Sequence, residues 1–505
     1  MTPMGTNGHL LERASTGIEG LDNILGGGLP SQRLYLVKGT PGVGKTTLAL
    51  QFLMEGARRK EPVLYITLSE TEEEIRQVAE SHGWKLDGIE MFELSGAEQT
   101  LRLFDENTIY AAEDVDLRET MRVLLDRVAA VNPKRVVFDS LSEIRLLAQT
   151  PVRYRRQLLA LKQYFAGRDC TTLLLDDRSD DNSSDLQVES LTHGVILLEQ
   201  WPMQYGADRR RLRVTKLRGA RFRSGYHDFC VVTGGLSVFP RLIAAEHRTD
   251  LLAEPMSSGI VGLDAILGGG VDRATCTLIM GPAGVGKSAI ATQFAVAAAE
   301  RNEAASVFLF EERVGTWVRR ARHLGMPVDE QISHGRLHLY QVDPAELAPD
   351  EFTHLVRRAV EHNGARVVLI DSITGYFTAM PEARFLSLQM HELLSYLSER
   401  GVATLLTMAQ SGLIGNQMRT PVDVSYLADT VLLLRYFESG GRIRKAVSAL
   451  KKRSGAHENT IRDVRFDAEG IHVGAPLSDL RGVLAGLPQM LGSQHEPEVP
   501  SRDFR

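Results

Sequence analysis

Short apolar runs alternate along this chain with stretches of helical period. In the first half the runs are Leu34-Tyr35-Leu36-Val37-Lys38, Val63-Leu64-Tyr65-Ile66-Thr67, Val136-Val137-Phe138 and Thr171-Thr172-Leu173-Leu174-Leu175. In the second they are Thr277-Leu278-Ile279-Met280, Val307-Phe308-Leu309-Phe310, Val367-Val368-Leu369-Ile370 and Ala403-Thr404-Leu405-Leu406-Thr407. Mostly apolar runs, without polar alternation, suit strands covered on both faces. Between them, Leu48 to Ala57 and Ile290 to Ala299 repeat with the period of a helix. The order strand, helix, strand predicts α/β architecture, a mostly parallel sheet flanked by helices. Such a sheet binds ligands at the carboxyl ends of its strands.

The pattern occurs twice. Ser15-Thr16-Gly17-Ile18-Glu19-Gly20-Leu21-Asp22-Asn23-Ile24-Leu25-Gly26-Gly27-Gly28 returns as Ser257-Ser258-Gly259-Ile260-Val261-Gly262-Leu263-Asp264-Ala265-Ile266-Leu267-Gly268-Gly269-Gly270, 242 residues on. The acids that end the third run, Asp139 and Asp371, lie 232 residues apart, so the second copy is shorter in between. A period this long indicates duplicated domains and not a solenoid. We expect an N-terminal segment 1–14, domains 15–245 and 257–475, and a flexible tail 476–505. At about 240 residues each copy can bury its own core.

Each first run leads into a loop of the form G-x-x-x-x-G-K-[ST]: Gly39-Thr40-Pro41-Gly42-Val43-Gly44-Lys45-Thr46 and Gly281-Pro282-Ala283-Gly284-Val285-Gly286-Lys287-Ser288. The glycines let several backbone N–H groups face one anion, and the following helix adds about half a positive charge at its start. Thr40, Gly42, Val43, Gly44, Lys45, Thr46 and Thr47, and in the second copy Ala283, Gly284, Val285, Gly286, Lys287, Ser288 and Ala289, form the expected nucleotide cradles. Lys45 and Lys287 would meet the outer phosphates of the nucleotide. Thr46 and Ser288, with the post-strand Asp139 and Asp371, would hold Mg²⁺. Glu311-Glu312 follows the second strand of the second copy, where one carboxylate could polarise water or a hydroxyl. The first copy has Ser69-Glu70 there. Helix capping competes for this segment, since Ser69-x-x-Glu72 and Thr71-x-x-Glu74 both fit a capping box.

Composition narrows the setting. With 43% hydrophobic and 24% charged residues the balance is that of a globular protein, and no apolar run approaches the length of a membrane helix. Cys170, Cys230 and Cys276 are far apart without C-x-x-C spacing, which excludes a zinc or disulfide framework. No membrane partner is expected, and a cytoplasmic location is. A net charge of −6 argues against a general nucleic-acid footprint. One segment runs the other way: Arg209-Arg210-Arg211-Leu212-Arg213-Val214-Thr215-Lys216-Leu217-Arg218. It lacks interleaved aromatics to stack bases, so nucleic acid is the weaker reading.

With both loops, both glycine-rich openings, the post-strand acids and Lys216-Leu217-Arg218-Gly219 in view, the chain resembles the KaiC family of double-domain RecA-like ATPases over roughly residues 10–475. The resemblance implies two tandem RecA-like P-loop domains and a double-ring homohexamer with ATP between protomers. It implies ATP hydrolysis in the first ring, and in clock members autophosphorylation in the second. The family's paired catalytic glutamates fall on Glu311 and Glu312, but on Ser69 and Glu70 in the first copy. Its trans-acting cations fall on Lys216 and Arg218, and on Lys451 and Arg453. Its adjacent phosphorylated Ser-Thr pair falls on Ser425 and Tyr426, and a further threonine on Thr420. Tyrosine at the second position puts an ordered two-site cycle in doubt and leaves single-site autophosphorylation open. Asp479 to Pro488 looks like the ending of non-clock members, and Gly492 to Arg505 is expected to be disordered. The reading is therefore an ATP-hydrolysing hexameric switch with serine/threonine autokinase activity and an unidentified signalling partner. The alternatives are a DNA-linked ATPase on the same fold and a nucleotide-gated scaffold with little turnover.

Overall fold

The computed structural model describes residues 12–94, 112–178, 188–203, 205–247, 254–378, 383–410, 426–484 and 489–490. The chain forms two compact units that divide between Arg241 and Leu242.

The first unit is built on a nine-stranded sheet: β1 (Leu34–Gly39), β2 (Val63–Thr67), β3 (Ile89–Glu93), β4 (Arg135–Asp139), β5 (Thr171–Asp177), β6 (Gly194–Trp201), β7 (Arg209–Leu217), β8 (His227–Val232) and β9 (Gly235–Phe239). Their order is β9-β8-β7-β6-β1-β5-β4-β2-β3. The six strands from β6 to β3 are parallel, and β7, β8 and β9 extend the sheet antiparallel. The second unit repeats this with β10 (Cys276–Gly281), β11 (Ala305–Leu309), β12 (Leu337–Gln341), β13 (Val367–Asp371), β14 (Ala403–Ala409), β15 (Thr430–Ser439), β16 (Arg442–Lys452), β17 (Arg462–Asp467) and β18 (Gly470–Pro476), ordered β12-β11-β13-β14-β10-β15-β16-β17-β18. Tandem RecA-like domains, each a mostly parallel sheet flanked by helices, are thus the architecture.

The apolar runs are buried on both faces because residues alternate between two cores. Tyr35, Val37, Tyr65, Val137, Leu173 and Leu175 pack with the helix Lys45–Arg58 on one face. Leu34, Leu36, Leu64, Ile66, Val136, Phe138 and Leu174 pack on the other with Leu141, Ile144, Leu158 and Leu161. The second unit shows the same division, with Ile279, Val307, Leu369 and Leu405 on one side and Leu278, Phe308, Val368 and Leu406 on the other.

The glycine-rich openings have a structural task. Asp22 accepts hydrogen bonds from Ser15 Oγ at 2.6 Å, Thr16 N at 2.8 Å and Thr16 Oγ1 at 2.8 Å. Asp264 does the same with Ser257 Oγ at 2.5 Å, Ser258 N at 2.8 Å and Ser258 Oγ at 2.7 Å. This carboxylate knot closes the turn before a short helix in each unit.

Candidate active site

Four adjacent strands end together. Gly39 at the end of β1 lies in register with Asp177 at the end of β5, and Thr67 at the end of β2 with Asp139 at the end of β4. In the second unit Gly281 is opposite Ala409, and Leu309 opposite Asp371. The phosphate-type loops therefore open on the carboxyl edge of each sheet, next to the acids. Each loop turns into its helix through a glycine in the left-handed region, Gly44 at φ 113° and Gly286 at φ 116°. The helices Lys45–Arg58 and Lys287–Glu300 start there, with their N–H groups facing the loop.

In the first unit Thr46 Oγ1 donates to Asp139 Oδ2 at 3.0 Å, and the buried Tyr65 hydroxyl donates to the same oxygen at 2.5 Å. Lys45 Nζ donates to Gly39 O at 3.1 Å and Thr40 O at 3.0 Å, and pairs with Asp177 Oδ1 at 2.7 Å. Burial pushes the Asp139 carboxyl above the usual carboxylate range, against its hydrogen bonds from Tyr65 and Thr46. Burial also raises Glu70, with the charges of Asp139 and Glu74 acting the same way and Lys45 opposing. The competing capping role goes to Thr71 and Glu74. Glu74 Oε2 accepts from Thr71 N at 2.8 Å, and Thr71 Oγ1 accepts from Glu74 N at 3.3 Å. Glu70 is outside that box and feels the charge of the loop lysine. Thr47 Oγ1 lies 3.4 Å from His82 Nε2.

In the second unit Ser288 Oγ donates to Asp371 Oδ1 at 3.0 Å, and Thr407 Oγ1 donates to the same atom. Lys287 Nζ donates to Pro282 O at 2.9 Å, and burial lowers its pKa against the charges of Asp371 and Glu311. Glu311 Oε1 accepts from Ser372 Oγ at 2.6 Å. Glu312 pairs with Arg320 at 2.8 Å, and burial raises its pKa while Arg320 opposes the shift. Val78 occupies the position equivalent to Arg320 in the first unit.

Each loop's serine or threonine thus meets its strand-end aspartate. The donor that fixes the aspartate differs. Tyr65 on β2 does this in the first unit, where Leu175 stands on β5. In the second unit Val307 stands on β11 and Thr407 on β14 supplies the hydroxyl. Sequence reasoning missed Tyr65, Thr407, Asp177, Ser372 and Arg320. For those on or beside strands the sequence signal was a polar group within or next to an apolar run, and Arg320, on the helix Val314–His323, carried none.

The hydroxyl–carboxylate pairs suit a hard divalent cation. Asp371 Oδ2 is buried with no hydrogen-bond partner among the described residues, an orphaned acceptor that a cation would satisfy.

The proposed trans cations lie elsewhere. Lys216 pairs with Val195 and Leu217 with Gly194, which is itself opposite Tyr35 near the start of β1. That is the sheet edge away from the loop at Gly39, roughly 13 Å along the strand at about 3.3 Å per residue. Lys451 and Lys452 occupy the same edge, opposite Val431 and Thr430. Lys216 donates to Glu189 O, Arg218 to Ser190 O at 3.2 Å, Lys451 to Ala428 O at 2.8 Å and Arg453 to Tyr426 O at 3.1 Å. The candidate phosphosites Ser425 and Thr420 lie outside the described residues, as does the segment from Gly492 to Arg505.

The basic strand has aromatic neighbours after all, supplied across the sheet and not within the strand. The Arg211 guanidinium lies 3.5 Å from the Trp201 ring centroid and 3.9 Å from that of Tyr226.

Fold and loops together define a tandem P-loop ATPase. A family model described as "ATPase: KaiC" matches residues 14–243 and again 256–478, and the chain belongs to that family. It is 25% identical to the circadian clock oscillator protein KaiC of Nostoc sp. (strain PCC 7120), over 98% of this chain and 95% of that protein. It is 26% identical to the KaiC of Prochlorococcus marinus (strain MIT 9313), over 96% of this chain and 98% of that protein. It is also 26% identical to the circadian clock protein KaiC3 of Synechocystis sp. (strain PCC 6803), over 97% of this chain and 96% of that protein. Among the described residues no helix is long and apolar enough to cross a membrane.

Proposed function

We propose that this KaiC-family ATPase works as a cytoplasmic homohexameric switch that binds ATP between protomers, hydrolyses it slowly in the first unit and autophosphorylates in the second. The observation that carries this reading is the placement of Lys216 and Arg218 at the sheet edge opposite their own phosphate loop, repeated by Lys451 and Arg453. Cations so placed cannot reach the phosphates bound by the same unit. A neighbouring copy that presents its loop to that edge would receive them, in the manner of an arginine finger. Mg²⁺, held by Thr46 with Asp139 and by Ser288 with Asp371, would neutralise phosphate charge. Glu70 in the first unit, and Glu311 or Glu312 in the second, would orient and deprotonate the attacking water or hydroxyl. Arg453, bonded to the carbonyl of Tyr426, puts the second unit's cations beside the residue that follows Ser425. That supports Ser425, ahead of Thr420, as the acceptor.

Incubation with ATP and Mg²⁺, followed by native mass determination and phosphate mapping, tests the reading. Hexamers, phosphate release and a phosphorylated Ser425 are expected. A protein that stays monomeric and releases no phosphate overturns it. The DNA-linked alternative draws on the Arg211, Trp201 and Tyr226 cluster, but Arg211 already covers those two rings. Single-stranded DNA is expected to leave hydrolysis unchanged. Stimulation that falls steeply with salt would favour the alternative.

A further inference from the structure

Lys45 and Lys287 hold the same position in two copies of one loop, and both donate to the equivalent loop carbonyl, Lys45 Nζ to Thr40 O at 3.0 Å and Lys287 Nζ to Pro282 O at 2.9 Å. They differ in one partner. Lys45 Nζ lies 2.7 Å from Asp177 Oδ1, and Asp177 Oδ2 accepts from Ser142 Oγ at 3.2 Å. The Lys45 side chain is 9% exposed and that of Asp177 is 41% exposed, so a largely buried ammonium is paired with a carboxylate that solvent reaches. Register explains the difference. Asp177 ends β5 opposite Gly39, whereas Ala409 ends β14 opposite Gly281 and offers no carboxylate.

The ammonium of such a loop serves the outer phosphates of a nucleotide. A carboxylate 2.7 Å from it stands where phosphate oxygens would be received. Carboxylate and phosphate are both anions, and they repel strongly at contact distance in a partly buried site.

We propose that Asp177 sets the discrimination between nucleoside triphosphate and diphosphate in the first unit. A triphosphate must displace the carboxylate from Lys45 to place its terminal phosphate. A diphosphate leaves the pair in place, with Lys45 shared between its outer phosphate and Asp177. The first site is therefore biased toward the diphosphate relative to the second, where Ala409 removes the competitor. This inference rests on the nucleotide-site reading above.

The test is titration of the full-length K287A protein, whose second loop is disabled, with Mg²⁺ and either ADP or β,γ-imido-ATP. Asp177→Asn in that background should tighten the triphosphate analogue about tenfold, the effect of roughly 1.4 kcal/mol of relieved repulsion, and change ADP by less than about twofold. The converse variant, Ala409→Asp in a K45A background, should weaken the analogue at the second site by a similar factor. An unchanged analogue-to-ADP ratio in Asp177→Asn, or a weaker analogue, overturns the proposal alone. If K287A binds neither nucleotide and K45A/K287A loses nothing further, the nucleotide-site reading of the first unit falls, and this proposal with it.

Discussion

At the scale of single residues, the two strand-end aspartates show that one geometry is reached by two routes. Asp139 is fixed by the phenol of Tyr65, and Asp371 by the hydroxyl of Thr407. Tyr65→Phe removes a donor from a buried carboxylate while keeping the ring in the core. It should cost the first unit about 1–3 kcal/mol, the usual penalty for a buried acceptor left short of a partner. Calorimetry that resolves the two unfolding transitions is the check, and the transition of the second unit should stay where it is. Protonation belongs at this scale too. Glu70 is raised mainly by burial, and Asp139 likewise. An acid whose pKa is raised keeps its proton to higher pH, so a carboxylate that must be ionised to accept a proton loses function as pH falls through that raised value. Hydrolysis by K287A protein should therefore show an acid limb above the ordinary glutamate value of about 4.3, set by Glu70. A limb at or below that value would mean Glu70 does not serve as base. In the second unit, Glu311→Gln with Glu312→Gln should abolish phosphate incorporation at Ser425 while much of the first unit's hydrolysis persists. Incorporation that survives both changes would show the pair misassigned.

At the scale of elements, the loop-to-helix turn is the part most sharply constrained. Gly44 and Gly286 have nearly the same φ, 113° and 116°, so the backbone strain of adding a side chain is nearly equal in the two loops. Their surroundings differ. A Cβ on Gly44 would meet methyl groups of Leu236 and Val231 at 3.3 Å, but on Gly286 it would fall 2.3 Å from the Phe466 ring. Gly286→Ala should therefore lower the stability of its unit more than Gly44→Ala lowers that of its own, by about 1–3 kcal/mol as in other overpacked sites. Urea midpoints of the two transitions give the comparison, and equal losses would show that Phe466 yields. These elements also show what sequence alone reveals. β1, β2, β4 and β5 were legible because a strand buried on both faces has an apolar run at its centre without polar alternation, and the loop because phosphate binding needs glycines at fixed spacing. β8, β9, β17 and β18 were not, since strands of the antiparallel extension such as His227–Val232 alternate and mix polar residues. The Asp177–Lys45 pair was illegible for another reason. It depends on the register of β5 against β1, which brings together residues 132 apart in sequence. The exchange of Tyr65 for Thr407 escaped because the two donors sit on different strands, so aligning the copies position by position shows only two unrelated substitutions.

At the scale of the whole molecule, the decisive question is whether each site is completed by a second copy of the chain. The loop lies at one edge of its sheet and Lys216 with Arg218 at the other. If the site is shared, a loop-defective protomer and a cation-defective protomer can repair one another. In a K287A background that silences the second unit, Lys45→Ala and Arg218→Ala should each lose nearly all hydrolysis. A ring assembled from equal amounts of the two should regain part of it. An intact interface needs the Arg218→Ala protomer to supply the loop and a K45A neighbour on the correct side to supply the arginine. Because a head-to-tail ring presents one fixed neighbour to each loop, random mixing makes about a quarter of the interfaces complete. Mixed protein should then show about that fraction of the hydrolysis of K287A protein alone, appearing at the rate at which subunits exchange. No recovery after exchange, demonstrated by mass measurement of mixed rings, would show that Arg218 acts within its own chain. A strand running the length of the sheet would then have to deform to bring it there. Recovery would show that the cation at the start of β1 in one copy serves the loop of a neighbouring copy.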